Sequence, residues 1–163
     1  MDRARKYSLL ETKSRLEALC AYQERCSWEL EQKMLKWEVD YEDRNRLLAH
    51  LIENNFLNEE RFAEAYTSGK INIKRWGRIK IRIELKRKFI SEYSIRKALD
   101  GIDLDVYINN LEKLATHKFE GLRSEKDSFK KRIKLLRYLS CKGYENDLIN
   151  DRLNQLFGFS EED

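Results

Sequence analysis

Apolar positions recur along this chain in a register that repeats itself. Ile79, Ile81, Leu85, Ile90, Ile95 and Leu99 align without a gap on Ile133, Leu135, Leu139, Tyr144, Ile149 and Leu153, 54 residues later. Counting 51 residues toward the N-terminus gives Trp28, Leu30, Met34, Val39, Arg44 and Leu48, apolar everywhere except Arg44. Such a register predicts one helical supersecondary unit used three times, each copy burying its apolar face against neighbours. Repeat molecules of this kind present extended surfaces, so a binding protein is indicated ahead of an enzyme built around one pocket.

The same positions set out the elements. Leu16, Leu19, Cys20, Leu30 and Met34 predict a helix over residues 13–36, broken at Lys36-Trp37-Glu38. Asp40 can cap a second helix carrying Leu47, Leu48 and Leu51, which Asn54-Asn55 ends. Asn58 followed by Glu59-Glu60 starts a third, a side-chain acceptor for free amides followed by acids at the positive dipole end. It buries Phe62, Ala63 and Tyr66 and stops near Ser68-Gly69. Ser91 or Ser94 starts a helix with Ile95, Ala98 and Leu99, and Gly101 is its expected stop. Asp103 caps the next, which carries Val106, Tyr107, Asn110, Leu111 and Leu114. The last repeat runs from Ser128 to Phe157, with Gly143 ending its first helix and Asn146 capping its second. Residues 1–6 and 160–163 are expected to fray.

One stretch is ambiguous by itself. Ile79-Lys-Ile-Arg-Ile-Glu-Leu85 alternates apolar and charged residues, the signature of a strand. Its counterpart from Ile133 to Leu139 has the 133/136/139 spacing of a helix, and the repeat carries that assignment to both. Ile79 and Ile83 then lie off the face of Ile81 and Leu85, which implies a helix packed on two sides or, at Ile83, a partner contact.

Composition supports an all-α fold of tandem helical repeats: there is no proline and only six glycines. The expected division is an N-terminal helix and first repeat over 1–69, a second repeat over 70–122, and a third repeat with a short acidic tail over 123–163. Charged residues make up 38% of the chain and the mean hydropathy is −0.77, which implies much surface for the core enclosed, as in an elongated helical chain. Cys20, Cys26 and Cys141 have no metal-like spacing and read as buried or half-buried reduced thiols. The charged N-terminus lacks the apolar core of a signal peptide, and no run is long enough to span a membrane. A location in a reducing cytoplasm is expected. No phosphate-binding glycine loop, nucleophile elbow or His-Glu-x-x-His motif is present, and His50 and His117 have no acid or nucleophile at helical spacing. Neither catalysis nor a cofactor is expected.

The net charge of +4 hides a segregation. Residues 70–88 hold nine basic side chains and one acid, and 123–137 hold seven basic and two acidic. Residues 38–64 hold eight acids against three basic residues. The second and third copies are thus basic where the first is not. Two basic runs at equivalent repeat positions predict a positive strip for an anionic partner, either a phosphate backbone or an acidic protein. Its candidate contacts are Lys74, Arg75, Arg78, Arg82 and Lys86 in the middle run and Lys130, Arg132 and Lys134 in the last. Aromatics able to stack on bases would favour single strands. Trp76 and Phe129 lie within the runs, and the sequence leaves open whether they face solvent or core.

From about residue 20 to 157 the chain resembles the RecX family of regulatory proteins. The resemblance rests on Arg25-Cys-Ser-x-x-Glu-Leu30, Phe56-Leu-Asn-Glu-Glu-Arg-Phe-Ala-Glu-Ala-Tyr66, Trp76-Gly77-x-x-Lys-Ile-x-x-Glu-Leu-x-x-Lys-Phe-Ile90 and Leu139-x-x-Lys-Gly-Tyr144. Where that family commonly has Lys-Gly before an apolar residue, this chain has Trp37-Glu38 and Lys88-Phe89, which predicts a relaxed helix stop at both places. The resemblance implies tandem three-helix repeats in a curved, elongated molecule, and a non-enzymatic protein that binds the RecA recombinase and its single-stranded-DNA filament. There it would restrain recombination, ATP hydrolysis and co-protease activity in DNA repair and the SOS response. Two alternatives stand beside it: a DNA-binding helical module with no filament partner, contacting single- or double-stranded DNA through the basic strip, and a protein scaffold whose basic face is only solvated.

Overall fold

A computed structural model describes residues 4–158, and every regular element among them is helical. They are α1 (Leu9–Tyr22), α2 (Ser27–Lys36), α3 (Tyr41–Glu53), α4 (Glu59–Gly69), a π-helical turn (Lys70–Lys74), α5 (Arg78–Arg87), α6 (Glu92–Asp100), α7 (Leu104–Gly121), α8 (Ser128–Lys142) and α9 (Asn146–Phe157). The alternating Ile79–Leu85 segment is therefore helix. It buries Ile81 and Leu85 completely and leaves Ile79 and Ile83 about half exposed. The acidic end Glu161-Glu162-Asp163 lies outside the described residues.

The chain forms two compact units, Met1–Tyr66 with Leu85–Ala98, and Thr67–Glu84 with Leu99–Asp163. In the first unit Leu16, Leu30, Met34, Val39, Leu47, Leu51 and Leu57 form one core, with Leu19, Trp37, Leu48 and Phe56 packed against it. In the second, α7, α8 and α9 pack on one another and bury Tyr107, Leu111, Ala115, Leu135, Leu139, Ile149 and Leu153. Arg44, the polar member of the repeat register, is half-buried. Its guanidinium donates to the Val39 carbonyl at 2.8 Å, which gives its charged end a backbone acceptor.

The repeat is most visible at one helix terminator. The amides of Val39, Ile90 and Tyr144 donate back to the carbonyls of Met34, Leu85 and Leu139, and those of Glu38, Phe89 and Gly143 to Leu35, Lys86 and Ser140. This is the Schellman arrangement, which requires a left-handed residue at its centre. Glu38, Phe89 and Gly143 all have it, with φ of 57°, 59° and 96°. The helix stop is thus kept at Trp37-Glu38 and Lys88-Phe89, contrary to the expected relaxation, because the buried Val39 and Ile90 anchor the turn against their partners. A left-handed residue with a Cβ costs roughly 1–2 kcal/mol.

Other expectations are corrected locally. The helix placed over 13–36 is two helices. The first starts at Leu9 behind a capping box, in which the Ser8 hydroxyl accepts from Glu11 N–H at 3.1 Å and the Glu11 carboxylate from Ser8 N–H at 2.9 Å. The chain is extended at Gln23 and Cys26, and the second begins where Glu29 reaches back to the Cys26 amide. Residues 5 and 6 are tied down rather than frayed: Arg5 pairs with Asp40 at 2.9 Å and with Asp43, and Lys6 N–H donates to the Trp37 carbonyl. Glu145 rather than Asn146 occupies the N-cap of α9, and Cys141 is exposed, whereas α6 does stop directly before Gly101. Asp40, Asn58 and Asp103 cap α3, α4 and α7 as their positions predict.

Candidate nucleic-acid interface

The basic residues of the second unit are positioned by the segment between α4 and α5. The chain leaves α4 through the π turn, a rare geometry associated with functional sites. It then passes through Arg75 in the left-handed region, with φ 54°. Two buried groups from elsewhere in the unit satisfy its carbonyls. Asn110 of α7 donates to the Ile71 oxygen at 3.0 Å, and the Tyr144 hydroxyl donates to the Arg75 oxygen at 2.8 Å. This support holds a strained, positively charged loop in one conformation, with Lys74 and Arg75 exposed.

From there the chain meets α8 at two glycines. Gly77 N–H donates to the Lys142 carbonyl at 2.8 Å and Ile79 N–H to that of Gly143 at 3.0 Å. A Cβ on Gly77 would lie 2.2 Å from the Gly143 backbone, so only glycine permits the approach. Arg78 N–H donates to the Tyr107 hydroxyl at 3.0 Å, and that hydroxyl donates to Glu145 at 2.8 Å. The amides of Arg78 and Ile79 at the start of α5 are therefore used inside the protein, and phosphate would be met mainly by side-chain cations.

Two half-buried rings offer those cations. Trp76 has the Lys70 and Lys80 ammonium groups 4.6 and 4.3 Å from its ring, and Tyr138 has those of Lys118 and Lys142 at 5.1 and 5.7 Å. Lys80 abuts Gly143, next in sequence to Lys142, so the two lysine-flanked rings belong to one surface. Each such contact contributes roughly 0.5–1 kcal/mol at an exposed site. A base stacking on either ring would displace a lysine toward its phosphate, so the arrangement suits a single strand in both respects.

The eight residues expected from charge are not equivalent in this setting. Lys74, Arg75 and Lys130 are exposed. Arg78 is engaged internally, 3.2 Å from Glu145 and over the Tyr107 ring at 4.2 Å. Arg132 donates to Asn154 at 2.9 Å, and Lys134 pairs with Glu125 at 2.7 Å. Arg82 borders a shallow cleft shared with Arg78, Asp100 and Glu145. Lys86 belongs to the first unit and lies 3.6 Å from Glu92. Arg75 sits at the C-terminal end of α8, whereas Lys130 is in its first turn, about 18 Å away at 1.5 Å per residue. Burial raises the pKa of both Tyr107 and Tyr144 well above the ordinary phenolic value, so both remain hydroxyl donors.

Lys118 and Tyr138 escaped the sequence reading because Lys118 lies outside either basic run. Missed too was the Nε2 of His50 on α3, 2.7 Å from Glu17 of α1, a pair 33 residues apart with no nucleophile at helical spacing. No group of three or more His, Cys, Asp or Glu able to hold a metal occurs among the described residues, and none of their helices is long and apolar enough to cross a membrane.

Residues 58–99, from the start of α4 nearly to the end of α6, match the family model described as RecX, second three-helix domain. The chain is 31% identical to the regulatory protein RecX of Chlorobaculum tepidum over 97% of its own length and 94% of the relative's. It is 34% identical to that of Clostridium perfringens (strain 13 / Type A) over 78% of its length, but spans only about 60% of that relative. Among solved structures it is similar to a crystal structure of RecX from Lactobacillus salivarius. The TM-score is 0.76 at 21% identity, over 91% of this chain and 96% of that one.

Proposed function

The chain belongs to the RecX family of regulatory proteins, and from that premise we propose that it binds the RecA recombinase and its single-stranded-DNA filament and restrains their activity. The match along nearly the full length of both this chain and the Chlorobaculum relative carries this reading. The lysine-flanked Trp76 and Tyr138 supply the contact to the filament's DNA, with Lys74 and Arg75 beside them on the braced loop. Arg82 of α5 and Lys130 and Arg132 of α8 add positive charge farther along the unit, whereas Arg78 and Lys134 are already paired with Glu145 and Glu125. No catalytic group is needed: a protein lying on a filament slows ATP turnover and strand exchange by favouring one filament state over another.

The test is a titration of RecA ATPase on poly(dT). The chain lowers turnover in a saturable manner, and replacing Lys74, Trp76, Lys80 and Lys142 together by Ala weakens the effect. Unchanged turnover and filament length at saturating protein would overturn the reading. The aromatic–lysine surface also favours a second reading, a DNA-binding module with no filament partner. That module binds naked oligo(dT) with a steep salt dependence and does so equally without RecA.

A further inference from the structure

The first unit contains a groove of about 750 Å³ whose chemistry is opposite to that of the basic surface. Four large side chains line it: Trp28, Ile52, Phe89 and Tyr93. Phe89 is 78% exposed and Tyr93 66%, so water covers aromatic area that folding has left outside. Phe89 is also left-handed, at a place where Gly143 stands in the equivalent turn. Exposure and backbone strain both disfavour a phenylalanine there, and neither is offset by a contact in the core. The ring is consistent with a contact to something outside the chain.

Charge identifies the kind of partner. Glu59 lines the groove, and its carboxylate accepts from the Ser91 amide at 2.9 Å and from the Ser91 and Ser94 hydroxyls at 2.7 Å each, all neutral donors. No lysine or arginine pairs with it among the described residues. Glu31 is only loosely compensated, 3.9 Å from Arg44, and Glu60 is neutralised by Lys97. On the cationic side, Lys88 is held by Glu29 at 2.9 Å and faces the Trp28 and Tyr66 rings, which leaves Arg25. The groove lining thus holds three carboxylates, Glu31, Glu59 and Glu60, against the two cations Arg25 and Lys88. A phosphate backbone would be repelled here, whereas a cationic side chain beside an apolar one would be attracted.

We infer that this groove seats a protein segment presenting an aliphatic or aromatic side chain next to a lysine or arginine, with Phe89 and Tyr93 gripping the apolar group and Glu59 the cation. The inference rests on the filament reading for the owner of that segment, RecA. The experiment uses the full chain and RecA assembled on poly(dT). Phe89→Gly keeps the left-handed turn and removes the ring. It folds, melts a few degrees higher as the strain is relieved, and co-sediments with the filament about tenfold more weakly. Its affinity for naked oligo(dT) is unchanged. Tyr93→Ala, on exposed α6 surface, gives the same loss should the glycine variant fail to fold. Wild-type filament affinity in both variants overturns the inference and leaves the filament reading standing. A parallel loss of oligo(dT) affinity overturns it in favour of nucleic acid in the groove. A wild-type chain that does not sediment with the filament overturns both.

Discussion

The two units use one helix terminator for opposite purposes. In the second unit the left-handed residue is Gly143, and its bare backbone lets α5 approach until Gly77 and Ile79 donate to the carbonyls at the end of α8. In the first unit the same turn holds Glu38 and Phe89, and Phe89 stands out in solvent. Cations divide in the same way. All are half-buried, but Lys88 in the first unit is held by Glu29 beside two rings, whereas Lys80, Lys118 and Lys142 in the second lie against the rings of Trp76 and Tyr138. An equivalent backbone position can thus serve internal docking in one copy and outward presentation in another. Repeats keep the apolar skeleton because it makes the fold, and differ where a side chain meets a partner.

The most severe way to break this comparison is to remove the glycine contact. Gly77→Ala places a methyl 2.2 Å from two Gly143 backbone atoms, neither of which can rotate away. A loss of about 3 kcal/mol is expected, at the upper end for overpacking, measured by urea unfolding followed by far-ultraviolet circular dichroism. A loss under about 1 kcal/mol would show that the second unit does not depend on this approach.

Next in size is Tyr107→Phe. The hydroxyl accepts from the Arg78 amide and donates to Glu145, so its removal leaves two half-buried partners short of a bond. About 1–2 kcal/mol should be lost. If the first-unit pair His50–Glu17 proves more costly to break, the contrast between a braced second unit and a less constrained first is wrong.

A smaller and more selective effect separates the cations. Lys80→Ala and Lys142→Ala should each reduce the log–log salt slope of oligo(dT) binding by about 1. Lys88→Ala should leave the slope unchanged, because Glu29 already neutralises that charge. Equal slopes for all three would mean that the division between the units lies in sequence alone.

How far these features were legible depends on the distance over which their causes act. The skeleton was legible because Met34, Leu85 and Leu139 recur with Val39, Ile90 and Tyr144 five residues later, and burial fixes both members. That regularity also decided helix over strand at Ile79–Leu85. The break at Gln23–Cys26 was not, since an uninterrupted helix keeps Leu19 and Leu30 within about 20° of one another, and periodicity then carries no sign of a gap. The persistence of the turn at Glu38 and Phe89 was hidden because propensity argues for glycine there, while packing of the following apolar residue outweighs it. Of the candidate interface, the basic runs and Trp76 could be found locally. Lys118 against Tyr138, and Asn110 beneath the π turn, come together only through the packing of α7 on its neighbours.

The smallest expected effect concerns acid. Burial pushes the Glu59 carboxyl up, but the hydrogen bonds from Ser91 and Ser94 outweigh that and hold it below its ordinary value. With the folded-state value below the unfolded one, the group contributes stability at neutral pH and loses it as pH falls through the carboxylate range. The contribution should be under about 1 kcal/mol, since the site is open to solvent. Urea midpoints of wild type and Glu59→Gln should therefore differ at pH 7 and converge toward pH 3. Ser94→Ala, which removes one neutral donor, should narrow the pH 7 difference. A difference that persists unchanged at pH 3 would mean that Glu59 acts through packing, and the uncompensated charge that distinguishes the first unit's groove from the basic surface would lose its support.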